Sequence, residues 1–325
     1  MKFGRGSAIP ALAFALLCGC SHYADFTLPA APGGDPQLTF AFNALPDPVL
    51  TAGTGWESGD VLNPSVFREP GGLVNYYSAF DGHGWHTGRA VSSDGVHWQK
   101  QGKVLSPDGG EDSYIAANGA ALTWRGRVWY WYVSGPKSHP QIALDGRVVL
   151  ATGPYLSWDE IGVSDPYVIR IEPYFFLYYT GLDRGRRQRL GVARSSDGVH
   201  WEKLRANPIL SPGGPGSFGE NGLGEPAVWQ SNGFYWMLDT GRDGAENRRL
   251  GLARSLDGVH WTRLPAVFAG TVAWDSKVIC DATVLLDGDT VRVWFGGGDI
   301  ASPDENLHGQ IGYGTLQPVG ATLQK

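Results

Sequence analysis

The stretch Gly191–Leu204, GVARSSDGVHWEKL, returns as GLARSLDGVHWTRL at Gly251–Leu264 and more loosely as GRAVSSDGVHWQKQ at Gly88–Gln101. A phrase that recurs performs the same local task each time, so it constrains architecture before chemistry. Its aspartates are Asp94, Asp197 and Asp257, spaced 103 and 60 residues apart. The longer gap holds two units, with Asp145-Gly146 in ALDGRVVLATG marking the degenerate copy between them. A period of about 50–60 residues, dense in glycine and aromatics, is the signature of a β-propeller blade.

A second column gives the count. VLNPSVF, AANGAAL, VSDPYVI, LGEPAVW and ICDATVL open successive units, and superimposing them stacks Asn63, Asn118, Asp165, Glu225 and Asp281. Each opening strand leads into an aromatic one, such as RVWYWYVSG or YFFLYYTGL, and then into third and fourth strands. Gly at 47 of 325 residues and 13 Trp suit short strands joined by tight turns, and helical periodicity is nearly absent. The expectation is an all-β chain, a five-bladed propeller of four-stranded antiparallel blades. Inner strands are expected near 61–67, 115–122, 163–169, 223–229 and 279–285, in one domain over 38–325. The last unit ends at GQIGYGTL without a fourth strand, while Leu38–Leu50, LTFAFNALPDPVL, has the cadence of one. That N-terminal segment is expected to close the ring and remove a free sheet edge.

Within the repeated phrase, Asp-Gly makes the turn between third and fourth strands. Trp98, Trp201 and Trp261 then lie on the outer strand, placed to pack between blades. Because they recur unit by unit, His97, His200 and His260 read as structural. Trp56, Trp158 and Trp274, seven residues before the column, read as packing at blade junctions.

The ends say where such a chain goes. Lys2 and Arg5 precede an apolar run, Ala8–Leu17, and LCGC puts Gly19 before Cys20. Residues 1–19 thus resemble a bacterial lipoprotein signal, which implies cleavage before Cys20, lipid on its sulfur and export to the cell envelope. The run is shorter than the about twenty residues that span a bilayer, so the membrane is reached only through the lipid. Residues 20–37, rich in Pro, Gly and Ala, read as a tether. Removing Lys2 and Arg5 takes the formal net charge from −6 to −8. An acidic chain without basic runs excludes nucleic acid as a partner.

In a propeller the opening strands line the centre, so the column Asn, Asn, Asp, Glu, Asp lies at one depth. Three carboxylates there repel one another, which raises the pKa of at least one, and the column holds no Lys or Arg. Alternatively each acid hydrogen-bonds its own strand. The same three oxygens would also suit a structural calcium ion, although no cofactor is required.

A five-bladed propeller with DP and EP on inner strands resembles the arabinanase, levansucrase and invertase superfamily, glycoside hydrolase families 43 and 32 with their relatives. The resemblance runs over nearly all of residues 38–316 and implies a carbohydrate partner, glycosidic hydrolysis by carboxylates, and inversion. By position it makes Asp165 in SDPYVI the tuning acid and Glu225 in GEPAVW the proton donor. Asp165 and Asp281, flanking Glu225, should favour its protonated form. The superfamily's base falls on Asn63 in VLNPSV, which cannot act as one, and leaves Asp60 or Asp281 to substitute. The NDPNG signature of the fructose-specific enzymes is absent. Asn63, Asn118, Trp85 and Tyr114 are the expected substrate contacts; His83 and His86 flank Trp85, Tyr155 is a further loop candidate, and His308 stands outside the repeat. Without a base, the chain would be a sugar-binding propeller.

Overall fold

The protein is described from a computed structural model covering residues 22–110 and 113–320. Cys20, the signal segment and Glu111 lie outside the described residues. The strands pair as five antiparallel units. Unit one holds β3 (Val61–Glu69), β4 (Gly72–Phe80), β5 (Trp85–Ser92) and β6 (Gln99–Leu105), and unit two β7 (Ile115–Trp124), β8 (Arg127–Gly135), β9 (Gln141–Leu144) and β10 (Arg147–Leu150). Unit three is β11 (Gly162–Ile171), β12 (Tyr174–Leu182), β13 (Gln188–Ser195) and β14 (Glu202–Leu204). Unit four is β15 (Gly222–Ser231), β16 (Phe234–Arg242), β17 (Arg248–Ser255) and β18 (Trp261–Phe268). Unit five is β19 (Val278–Asp287), β20 (Thr290–Gly298) and β21 (Gln310–Val319), flanked by β2 (Thr39–Ala44), which pairs antiparallel with β21 from Thr39↔Val319 to Ala44↔Gly314. The opening strands neighbour one another in order, β3 beside β7, then β11, β15 and β19, and β19 lies beside β3. One-residue parallel bridges, Trp85↔Ile115 and Arg248↔Val278, join units one to two and four to five.

The repeated phrase fastens one unit to the next. Asp94, Asp197 and Asp257 each accept two backbone N–H groups of their own turn, and each pairs with its exposed histidine, His97, His200 or His260, at 2.7–2.8 Å. The turn glycine's carbonyl accepts Nε1 of its own Trp98, Trp201 or Trp261. The same carbonyl accepts a buried donor from an adjacent unit: Trp294 at 2.7 Å, Trp131 at 2.8 Å, and the Tyr178 hydroxyl at 2.8 Å. Two donors on one carbonyl explain why the turn and its tryptophan travel together. Unit two, where Asp145 and Gly146 form a tight left-handed turn (φ 49° and 75°), lacks the phrase.

Trp56, Trp158 and Trp274 pack within their own units rather than at junctions. They lie on Tyr77, Tyr179 and Phe295 of their second strands, with ring centroids 6.1, 5.4 and 6.1 Å apart. Trp158 takes the space of any side chain at Gly181 or Gly191, where a Cβ would meet its ring at 2.2 and 2.6 Å.

The segment expected as a tether is built into the molecule over its described part. β1 (His22–Ala24) pairs parallel with β14. Leu28 is buried among Tyr178, Met237 and Val259, its N–H bonded to the Asp257 carbonyl at 2.8 Å. Ala31 N–H donates to Leu256 (2.7 Å), and the Tyr235 hydroxyl donates to the Pro29 carbonyl (2.7 Å). The Pro/Gly/Ala content reflects an irregular backbone, whereas Phe26, Leu28 and Ala31 supply apolar anchors.

Candidate active site

Each opening strand breaks register at the same place: between Leu62 and Ser65, Ala117 and Ala120, Ser164 and Tyr167, Gly224 and Ala227, and Cys280 and Thr283. The residue at each bulge is Asn63, Asn118, Asp165, Glu225 or Asp281, all left-handed with φ between 49° and 56°. Bulges re-aim side chains, and short Asn and Asp side chains tolerate this backbone best. The freed bulge N–H groups reach hydroxyls of the preceding unit: Asn118 to Ser78 (2.8 Å), Glu225 to Thr180 (3.0 Å) and Asp281 to Thr240 (3.3 Å).

All five side chains line two cavities at once. One, of about 550 Å³, runs along the five opening strands past Phe67, Tyr167 and Val228. The other, about 180 Å³, is a mouth walled by Trp85, Tyr114, Gln188 and Arg248. The column is therefore the neck between them.

The neck is acidic, with Asp281 buried and the other four residues half-buried. Asp165 accepts hydrogen bonds from the Asn118 amide and the Ser164 hydroxyl (3.1 Å). Burial, and then the charge of Glu225, push it up to about 6. The same two causes raise Asp281 well above the usual carboxylate range. Its Oδ2 accepts the Cys280 thiol at 3.0 Å, while Oδ1 has no partner among the described residues. Glu225 faces a cation instead: Oε1 lies 3.8 Å from the guanidinium of buried Arg248, and Oε2 accepts the Asp281 N–H at 3.1 Å. Burial opposes the charge on Arg248, but Glu225 beside it raises the guanidinium above its ordinary value. Glu225 was expected to stand between Asp165 and Asp281. Its aspartate flanks are present, but a guanidinium the opening strands do not supply stands beside it.

Arg248 was readable in principle. It is the first residue of the third strand of its unit, where Trp85, Gln188 and Gln310 also fall, and three of these four line the mouth. Only the opening strands carried the sequence argument, so this column was missed.

Asp60 does not join the neck. Buried and lining neither cavity, it accepts the N–H groups of Asn306 (2.6 Å), Leu307 (3.0 Å) and Gly309 (2.8 Å). Of the two substitutes for the missing base, only Asp281 stands by Glu225. Asn63 and Asn118 line both cavities, Trp85 and Tyr114 the mouth. Trp85 Nε1 donates to the Tyr114 hydroxyl (3.2 Å), which donates to Glu305 (2.9 Å). Burial and that Glu305 bond push Tyr114 up to about 12. His86 is held between Asp81 and Ser106, His308 pairs with Asp299 at 2.8 Å, and Tyr155 is exposed under Arg184. None of the three lines the neck.

Glu225, Cys280 and Asp281 place donor atoms within 4.8 Å of one another. Calcium takes six to eight oxygen ligands; here one of three donors is a thiol, and Arg248 already supplies the positive charge. The calcium expectation rested on another set, Asp165, Glu225 and Asp281.

Residues 74–280 match the glycosyl hydrolases family 32 N-terminal domain. The chain belongs to that family. An uncharacterized protein of Mycobacterium tuberculosis is 27% identical over 228 residues, 61% of this chain and 75% of that protein. The raffinose invertase of Escherichia coli is 24% identical over 253 residues, 74% of this chain and 44% of the enzyme. Among solved structures, the catalytic domain of a family 62 α-L-arabinofuranosidase from Coprinopsis cinerea superposes with a TM-score of 0.62 at 13% identity, covering 86% of this chain and 97% of that domain. This family 32 chain therefore has the propeller-type fold of glycoside hydrolases.

Proposed function

We propose that the chain is a glycoside hydrolase in which five blades, the last completed by β2, ring one acidic neck. The observation that carries the reading is the neck itself, where, of three carboxylates, burial and the charge of Glu225 push two above the usual carboxylate range. Arg248 stands against the third. Breaking a glycosidic bond needs that pairing: a carboxylic acid to protonate the leaving oxygen, and an ionised carboxylate to support the oxocarbenium-like centre or activate water.

Asp165 is the proton donor in this reading. It is raised to about 6 and is only half-buried, whereas Asp281 is buried against Cys280. Glu225, 3.8 Å from the Arg248 guanidinium, is the partner carboxylate. These roles reverse those implied by resemblance, and Arg248 is the reason. An inverting pair holds water across about 6.5–9.5 Å, and Glu225 and Asp281, with oxygens within 4.8 Å, stand too close for that. Asp281 then supports Glu225 through its N–H. Inversion rests on the superfamily resemblance alone, and proton NMR of the first-released anomer tests it.

Asn63, at the place of the expected base, favours a second reading in which the neck binds sugar without cleaving it. Glu225→Gln and Asp165→Asn decide between them on a panel beginning with raffinose and aryl α-L-arabinofuranosides, then xylose- and arabinose-containing chains. Each variant is expected to lose about 10²–10⁴-fold in turnover, the range general acid–base groups contribute, while keeping glycan binding. A wild type that binds glycans and hydrolyses none establishes the second reading. Activity surviving both substitutions removes the neck from the chemistry.

A further inference from the structure

The mouth is not open on all sides. Residues 299–309, between β20 and β21, reach over it and are fastened to several units. Asp60 of unit one accepts three of their N–H groups. From unit four, Arg248 donates to the carbonyls of Ser302 (3.1 Å) and Pro303 (2.9 Å), and Arg242 to Pro303 (2.7 Å). From unit two, Lys137 Nζ holds Glu305 at 2.8 Å and Asp304 at 3.1 Å, and the Tyr114 hydroxyl donates to Glu305 at 2.9 Å. Unit three supplies none of these fastenings; its wall of the mouth is Leu182, Arg186 and Gln188, with Arg186 exposed. The space beneath, about 180 Å³, falls below the roughly 300–1,000 Å³ of common small-molecule clefts.

We propose that residues 299–309 form a bar that makes the mouth a one-ended pocket, so that the protein takes the terminal residue of a sugar chain and not its middle. The inference rests on the glycosidase reading and deepens it. A chain bound mid-length must run out of the site in two directions. A bar rooted in unit five and fastened to units four, one and two leaves one direction, past unit three. Each turnover then consumes one water, breaks one terminal glycosidic bond and releases one monosaccharide. Lys137 and Glu305 act here as specificity-determining residues, because they fix the bar and not the reacting carboxylates.

The experiment compares early products from a linear oligosaccharide with dye release from the same polysaccharide cross-linked and end-blocked. Wild type is expected to release monosaccharide alone and no dye. The double variant Lys137→Ala/Glu305→Ala, checked as folded by its thermal unfolding, is expected to raise the ratio of internal to terminal cleavage at least tenfold. A ladder of oligosaccharides from wild type at early times overturns the proposal, as does a folded double variant with an unchanged ratio. Should the double variant not fold, the wild-type product pattern decides alone. Should wild type turn over neither substrate, the glycosidase reading fails and the pocket is read by affinity electrophoresis. Retardation by free-ended chains only, relieved by the monosaccharide, upholds the one-ended pocket; retardation by end-blocked chains, or by neither, overturns it.

Discussion

Leu28→Ala measures whether the segment ahead of the first unit is part of the folded structure. Leu28 is 1% exposed, and its Cδ atoms close over Gly258, where a Cβ would meet them at 2.7–2.8 Å. Beneath it lie Tyr178, Val259 and Met237, in a cluster shared by units three and four. The substitution keeps the N–H bond to Asp257 and removes only apolar volume, so transfer and cavity terms alone apply. Buried Leu→Ala changes of this kind cost about 3 kcal/mol. For a chain of this size that is a fall in Tm of roughly 5 °C, since unfolding entropy grows with length. Differential scanning calorimetry of wild type and variant reads it directly. Leu45→Ala, at a 38% exposed position, is the control and should leave Tm unchanged. A Leu28→Ala protein melting within 1 °C of wild type would refute the packing argument and return the segment to a free tether.

Two further outcomes follow from the fastenings and the neck. Tyr178→Phe removes one of two donors to the Gly258 carbonyl, and Trp261 continues to serve it at 3.1 Å. It should cost about 1 kcal/mol by urea unfolding, and a loss above 3 kcal/mol would mean the turn depends on something else. Asp165, raised to about 6, binds its proton more tightly folded than unfolded, so its contribution to stability is full below its unfolded value and is lost as pH rises through about 6. Wild type should therefore lose stability relative to Asp165→Asn between about pH 4 and pH 7, and a pH-independent difference would sink the assignment.

Much of this was legible because a repeat turns one-dimensional spacing into three-dimensional register. Superimposing five short strands placed Asn63, Asn118, Asp165, Glu225 and Asp281 at one depth without any contact being known. It also separated the DGVHW turn from the chemistry, since a task done at every unit is not a task done at one site. What was not legible came from residues outside the opening-strand column. Composition placed residues 22–37 among linkers, yet a few apolar side chains at irregular spacing suffice to seat such a segment. Asp60 looked available because sequence carries no account of which carboxylates are already occupied by backbone N–H groups. Arg248 was hidden because its column begins the third strands, and a column is sought only where an argument points.

The left-handed bulges constrain what this wall can become. Five positions share a backbone that branched or bulky side chains resist, and Asn and Asp are the non-glycine residues that settle there most readily. Glu225, with φ 56°, is the long side chain in that company. Exchanging an amide for an acid at any of these places alters charge while leaving the local shape nearly untouched. Asn63→Asp is thus a one-group edit that adds a fourth carboxylate to the neck without rebuilding a strand.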